Sequence, residues 1–220
     1  ILGAHVEIAD DYLLKCLETI RESGADNVGG PWRAKGYGYV GRAVALAFQS
    51  PISVGGARSH DLRFEGPLDS VWGGFYDRGV FDRIGLFDES LVRNQDDELN
   101  YRLTNAGGVV WQSPAIRYAY VCRDSIGLLF KQYFEYGYWK VRVIQKHKVP
   151  ASWRHVVPGV FVITVVTLGV SSLFTHATRP GLLGIVALYA AVIVGTSIWI
   201  GLAHRTWSSV AVLPLVLTTF

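Results

Sequence analysis

Methionine is absent from this chain of 220 residues, and cysteine occurs only twice, as Cys16 and Cys122. The chain opens on Ile1 and enters an apolar segment with neither a basic leader region nor a small-residue cleavage site, so no secretory signal is expected. With no initiating methionine, and with an apolar run still in progress at Phe220, the sequence reads as part of a longer protein. The two cysteines, facing a reducing compartment, are expected to be free thiols and not a bridge. Repeats and low-complexity segments are also missing.

Charge is what the last third lacks. All 18 acids and 19 of the 21 lysines and arginines precede Val156, after which only Arg179 and Arg205 remain. The uncharged runs 156–174 and 181–203 are each close to the ~20 residues that cross a hydrocarbon core, so both read as membrane spans. A third apolar run, 207–220, is too short to span alone and reads as a truncated span. The chain therefore divides into a soluble part over 1–124, an interfacial helix and linker over 125–155, and a membrane region over 156–220.

The soluble part is itself uneven. Residues 1–130 carry a net charge of −4 and residues 131–155 a net charge of +5. Lys140, Arg142, Lys146, Lys148 and Arg154 crowd the entry to the first span, whereas the loop between the spans offers only Arg179 and His176. By the positive-inside rule the soluble part faces the cytoplasm, giving a multi-pass protein of the inner or plasma membrane. Anchorage on anionic lipid accounts for the basic segment, at ~1 kcal/mol per basic residue near the surface. Nucleic-acid binding is disfavoured, because the remainder is acidic and holds no reading module.

Along the soluble part, helical and extended patterns alternate, so the class is α/β. Asp10 or Asp11 is placed to cap a helix carrying Leu13, Leu14, Leu17 and Ile20 at helical spacing and ended by Gly24. A small-residue helix covers 42–48, and 49–68 reads as a long loop of the kind that serves as a lid or is disordered. Val71 to Phe75 reads as a strand containing Gly73-Gly74, where the backbone either approaches a ligand closely or forms a bulge. From Ser125 to about Lys146 runs a helix of aromatic and basic residues, expected to lie in the membrane interface.

The densest chemistry is Asn94-Gln95-Asp96-Asp97-Glu98, which puts three carboxylates in the first turn of a helix capped by Asn94 and ended by Gly107-Gly108. The helix dipole favours their ionised forms, which suits a general base. A plain acid-rich helix start satisfies the same pattern.

Taken in order, Gly73-Gly74, the run Arg78 to Glu89, Gln95-Asp96-Asp97-Glu98 with Arg102, then Arg123 and the run Lys131 to Lys140 resemble the family-2 inverting glycosyltransferases. The likeness is to the membrane-attached, succinoglycan-type exopolysaccharide enzymes, and it runs from about His5 to Pro158 and on into a membrane tail. The resemblance implies the acceptor-side half of a type-A nucleotide-sugar glycosyltransferase fold. It also implies a nucleotide-diphosphate sugar as donor and a lipid-linked glycan or polysaccharide as acceptor. Asp96 matches the general base, with Asp97, Glu98 and Arg102 in support, Glu98 and Arg102 being spaced as an i,i+4 pair. Arg123, Lys131 and Gln132 match positions that hold diphosphate or acceptor, alongside Gly73 and Gly74. For Lys131 membrane anchorage is the competing reading.

Family members also hold a divalent cation, Mg or Mn, through an Asp-x-Asp or Asp-x-His element that maps to Gly3-Ala4-His5. His5 remains as the candidate ligand, but Gly3 replaces the acid, which leaves a poor site for a hard cation. The nucleotide-binding first half is expected upstream of Ile1. A processive synthase is the alternative within enzymes, yet Gln132-Tyr-Phe-Glu-Tyr stands where such enzymes carry Gln-x-x-Arg-Trp, which favours single additions. A non-catalytic membrane scaffold derived from such an enzyme is the alternative from another class.

The charge asymmetry makes a direct prediction about topology. After replacement of Cys16 and Cys122, a cysteine at Thr178 should react with an impermeant thiol reagent added to intact cells. Labelling only after lysis would reverse the orientation.

Overall fold

A computed structural model describes residues 5–148 and 156–220. Gly3 and Ala4 of the candidate cation element, and Arg154 of the basic cluster, lie outside the described residues. The chain is a mixed α/β unit with two small sheets, followed by a helical tail. In order, the elements are β1 (Val6–Ile8), α1 (Tyr12–Ser23), β2 (Asn27–Gly30), β3 (Ala34–Lys35), α2 (Gly38–Gln49), β4 (Gly66–Pro67), β5 (Trp72–Tyr76) and α3 (Gly79–Ile84). Then come α4 (Gln95–Asn105), β6 (Val110–Gln112), β7 (Tyr118–Val121), α5 (Ile126–His147), α6 (Val157–Phe174), α7 (Arg179–His204), α8 (Trp207–Val210) and α9 (Leu213–Thr219).

One sheet has the order β4-β6-β2-β5, in which β6 and β2 are parallel and the two edge strands antiparallel to their neighbours. The other is β1-β7-β3, with β7 antiparallel to β1 and parallel to β3. Helix α1 packs on the strands through Tyr12 and Cys16, which join Val28, Ile116 and Tyr118 in one core cluster. This differs from the leucine face expected from spacing, since Leu13, Leu14 and Leu17 are exposed. The Tyr12 hydroxyl donates to the Gly73 carbonyl of β5, and that bond selects the face that meets the sheet. Asp11 does not cap α1 through its side chain, and instead accepts from Arg117 at 3.2 Å.

The segment 49–68 is folded. The buried Gln112 amide nitrogen lies 3.2–3.3 Å from the carbonyls of Arg58, Asp61 and Phe64, gathering the loop around one donor group. His60 stacks on Trp32 at 5.2 Å and on Phe48 at 5.9 Å between ring centroids, with Nδ1 3.0 Å from the Phe48 carbonyl. Burial disfavours the imidazolium and pushes His60 down to about 4.

Helices α6 and α7 pack on each other and are long and apolar enough to cross a membrane. The third apolar run divides into α8 and α9, which fold back on α7, α2 and α5. Leu213 and Val216 are fully buried in the cluster that also holds Ala43, Val44, Tyr120 and Leu129. Phe220 wedges against Phe48 and Tyr133, with ring centroids at 4.8 and 4.6 Å. A run read as a truncated span is thus joined to the core of the soluble part.

His60 gives the loop a pH dependence of known sign. Its folded pKa is depressed, so its contribution is complete above about 6.5 and is lost as pH falls towards about 4. The thermal midpoint of the detergent-solubilised protein should fall more between pH 7 and 5 than that of His60→Phe, which keeps the stack. Equal falls would remove His60 as the cause.

Candidate active site

The acidic turn sits between sheet and basic helix. Asn94 adopts a left-handed conformation at φ 60°, which asparagine tolerates better than most residues, and its side chain does not cap α4. Its amide donates instead to the Tyr136 carbonyl of α5 at 3.2 Å, while its own carbonyl accepts from the Glu98 N–H at 3.0 Å. The helix closes at Gly107, whose φ of 81° and left-handed backbone suit glycine.

The three carboxylates have three different environments. Asp96 is half-buried, and desolvation together with the charge of Asp97 pushes it up to about 6, against the opposing pull of backbone N–H groups and Lys140. Asp97 is ion-paired with Lys140 of α5. Glu98 is fully buried. Arg102 grips both its oxygens, from Nε at 3.0 Å to each and from Nη2 at 2.9 Å to Oε2, and Lys146 Nζ and His147 Nε2 each lie 3.0 Å from Oε1. Burial by itself would raise the Glu98 pKa, but the bonds from Arg102, Lys146 and His147 outweigh it and hold the carboxyl below its usual value. Arg102 also donates to the carbonyls of Ile84 and Leu86, and so ties the end of α3 to α4.

A second polar chain links the strands to α5. Arg123 Nε donates to Gln132 Oε1 at 3.0 Å, and its Nη1 lies 2.6 Å from His5 Nε2. Gln132, buried, also accepts from the Tyr120 hydroxyl at 3.2 Å and donates to the Tyr136 hydroxyl at 3.3 Å. Arg123, Gln132 and His5 therefore come together, and Tyr136 connects them to the Asn94 turn. Lys131 is exposed and stands apart from this chain. Pairing His5 with a guanidinium is a poor arrangement for a hard cation, and no group of three or more His, Cys, Asp or Glu placed to hold one occurs among the described residues.

Gly73 and Gly74 have close neighbours in the fold. Gly73 has φ +65°, and a Cβ at Gly74 would stand 2.7 Å from the Asn27 side-chain oxygen. The pairing of β2 with β5 shifts register here, so the bulge reading describes the geometry. Neither glycine lines the large cleft beside the acidic helix.

That cleft, of about 940 Å³, lies between the folded loop, α4, α5 and the start of α6. Asp97, Tyr101 and Lys140 form one part of its wall, and Val143, Ile144, Val157 and Pro158 lead towards the first apolar helix. Sequence reasoning did not place Lys140, Lys146, His147 or Tyr101 at this site. The clue was charge complementarity, since an acidic helix and a basic helix without other partners have reason to pair.

No family model matches the chain. It is similar to the succinoglycan biosynthesis protein ExoA of Rhizobium meliloti (strain 1021), with 26% identity over 204 residues. The match covers 93% of this chain, which spans about 60% of the length of that curated relative.

The buried and half-exposed ion pairs should separate on mutation. Glu98→Ala is expected to cost about 3 kcal/mol or more, because it leaves Arg102 and its neighbours without their buried counter-charge. Asp97→Ala, which removes a more exposed pair, should cost less than about 1 kcal/mol. Denaturant unfolding in detergent reads both, and equal losses would contradict the distinction.

Proposed function

We propose that the chain is the acceptor-side part of a membrane-attached glycosyltransferase of exopolysaccharide synthesis. It moves a sugar from a nucleotide-diphosphate donor to a lipid-linked glycan acceptor. The similarity to ExoA along most of the chain supports the pathway class. The observation that carries the reaction is Asp96, a half-buried carboxylate raised to about 6 at the start of α4, whose charge reaches Tyr76 and Tyr136.

Asp96 accepts the proton of the acceptor hydroxyl as that oxygen bonds to the anomeric carbon. The bond from that carbon to the diphosphate oxygen breaks on the opposite face, so configuration inverts and the nucleoside diphosphate leaves with the electron pair. No covalent sugar–enzyme intermediate is required. Arg123, oriented by Gln132 and His5, supplies positive charge for phosphate oxygens. The cleft, whose wall includes Asp97 and not Asp96 itself, continues along apolar side chains to the start of α6, which suits an acceptor whose far end is lipid. The soluble part lies on the cytoplasmic side in this reading, where nucleotide sugars are supplied.

In the full-length protein, Asp96→Asn should leave expression and membrane insertion intact and lower sugar transfer by at least ~100-fold, the scale of a lost general base. Wild-type turnover should rise with pH up to about 6 and then level, because the base form is the deprotonated one. Near-normal turnover of Asp96→Asn would sink the assignment. Silencing by Asp97→Asn alone would move the base one residue on.

A further inference from the structure

Beneath the acidic turn lies a buried amide network that the reaction as described does not use. Asn100 is on α4, one helical turn after Asp96, and is fully buried. Its Oδ1 accepts from Asn27 Nδ2 at 2.8 Å and from the Tyr76 hydroxyl at 3.0 Å, and its Nδ2 donates to Ser70 Oγ at 3.0 Å. Asn27 is fully buried and stands opposite Tyr76 across the β2–β5 pair. The four residues join both strands and the segment before β5 to one side chain of the catalytic helix.

Asparagine is a poor choice for this position on local grounds. It has low helix propensity, and a buried amide demands partners that a leucine would not. Gly74 is part of the same arrangement, since any side chain there would collide with the Asn27 amide. The arrangement ties α4 to β2, to β5 and to the segment before it. Asp96 rides on that helix, near enough to Tyr76 and Tyr136 for its charge to act on both hydroxyls.

We propose that Asn100 and Tyr76 are positioning residues for sugar transfer: their hydrogen bonds set α4 against the β2–β5 pair so that the Asp96 carboxylate meets the acceptor hydroxyl. Gly74 takes part by leaving room for Asn27. This rests on the proposed transferase reading. Displacement of a catalytic group by about 1 Å is enough to cost ~100-fold in rate, so a network that sets helix position acts on kcat.

The charged and titratable groups facing Asp96 are Asp97 on its own helix, Tyr76 on β5, and Lys140, Tyr136 and the more distant Arg93 that bears on Tyr136. Asn100→Ala replaces none of these side chains but takes from the Tyr76 hydroxyl its acceptor, and Tyr76→Phe removes that hydroxyl. With the full-length enzyme in its membrane, Tyr76→Phe is expected to lower kcat about tenfold and Asn100→Ala about 100-fold, with KM for the nucleotide sugar unchanged. Asn100→Asp keeps an acceptor for Asn27 and Tyr76, and adds negative charge one turn from Asp96. It should recover part of the rate and move the acid limb of the pH profile upward. Unchanged kcat in both Tyr76→Phe and Asn100→Ala would overturn the proposal, as would losses no greater than the fraction of protein unfolded. If the wild-type protein transfers no sugar, the transferase reading itself fails; if Asp96→Asn is fully active, the assignment of the base fails. If it is inactive while Tyr76→Phe and Asn100→Ala are normal, only the positioning role fails.

Discussion

The Glu98 carboxylate, wholly removed from water and held by Arg102, Lys146 and His147, is the interaction on which the arrangement of the molecule depends. A buried charge is tolerated only where cations and hydrogen bonds replace its hydration shell. Here those groups come from two helices, α4 and α5, and Arg102 extends the connection to the carbonyls of Ile84 and Leu86. Docking of α5 is therefore specified by charge geometry, beyond apolar contact alone. The Lys146–Asp88, Lys140–Asp97 and Arg93–Glu135 pairs run along the same seam.

Once α5 is docked, its two faces have different roles. The inner face carries Leu129, Gln132 and Val143, all buried, along with the chain that reaches Arg123. The outer face leaves Phe130, Phe134, Tyr138 and Val141 exposed. The basic residues of this segment are divided: Lys140 and Lys146 pair with Asp97 and Glu98, while Lys131, Arg142 and Lys148 remain at the exposed surface.

The tail adds a second constraint. Helices α8 and α9 bring the end of α7 back onto α2 and α5, so the apolar helices and the acidic turn are parts of one packed body. The stack of Trp32, Phe48 and His60, with Phe220 against Phe48, connects that packing to the folded loop that walls the cleft. The distance from the carboxylates to the first apolar helix is consequently a property of the fold.

What the sequence by itself determined was local: the alternation of helix and strand, the two long uncharged helices, the acidic first turn of α4 and the aromatic and basic make-up of α5. Each follows from periodicity, turn residues or the solvation of charge, which act over a few neighbouring positions. Only the tertiary structure decided which face of α1 is buried, because the Tyr12–Gly73 bond depends on a partner 61 residues away. It alone gave Asp96, Asp97 and Glu98, adjacent acids of similar intrinsic chemistry, three different surroundings, built from α4 itself, β5 and α5. The joining of His5, Arg123 and Gln132, the collapse of segment 49–68 around Gln112, and the Asn27–Asn100–Tyr76 network were likewise hidden in the sequence. Such contacts are set by shape and desolvation between distant segments, and no spacing along the chain records them.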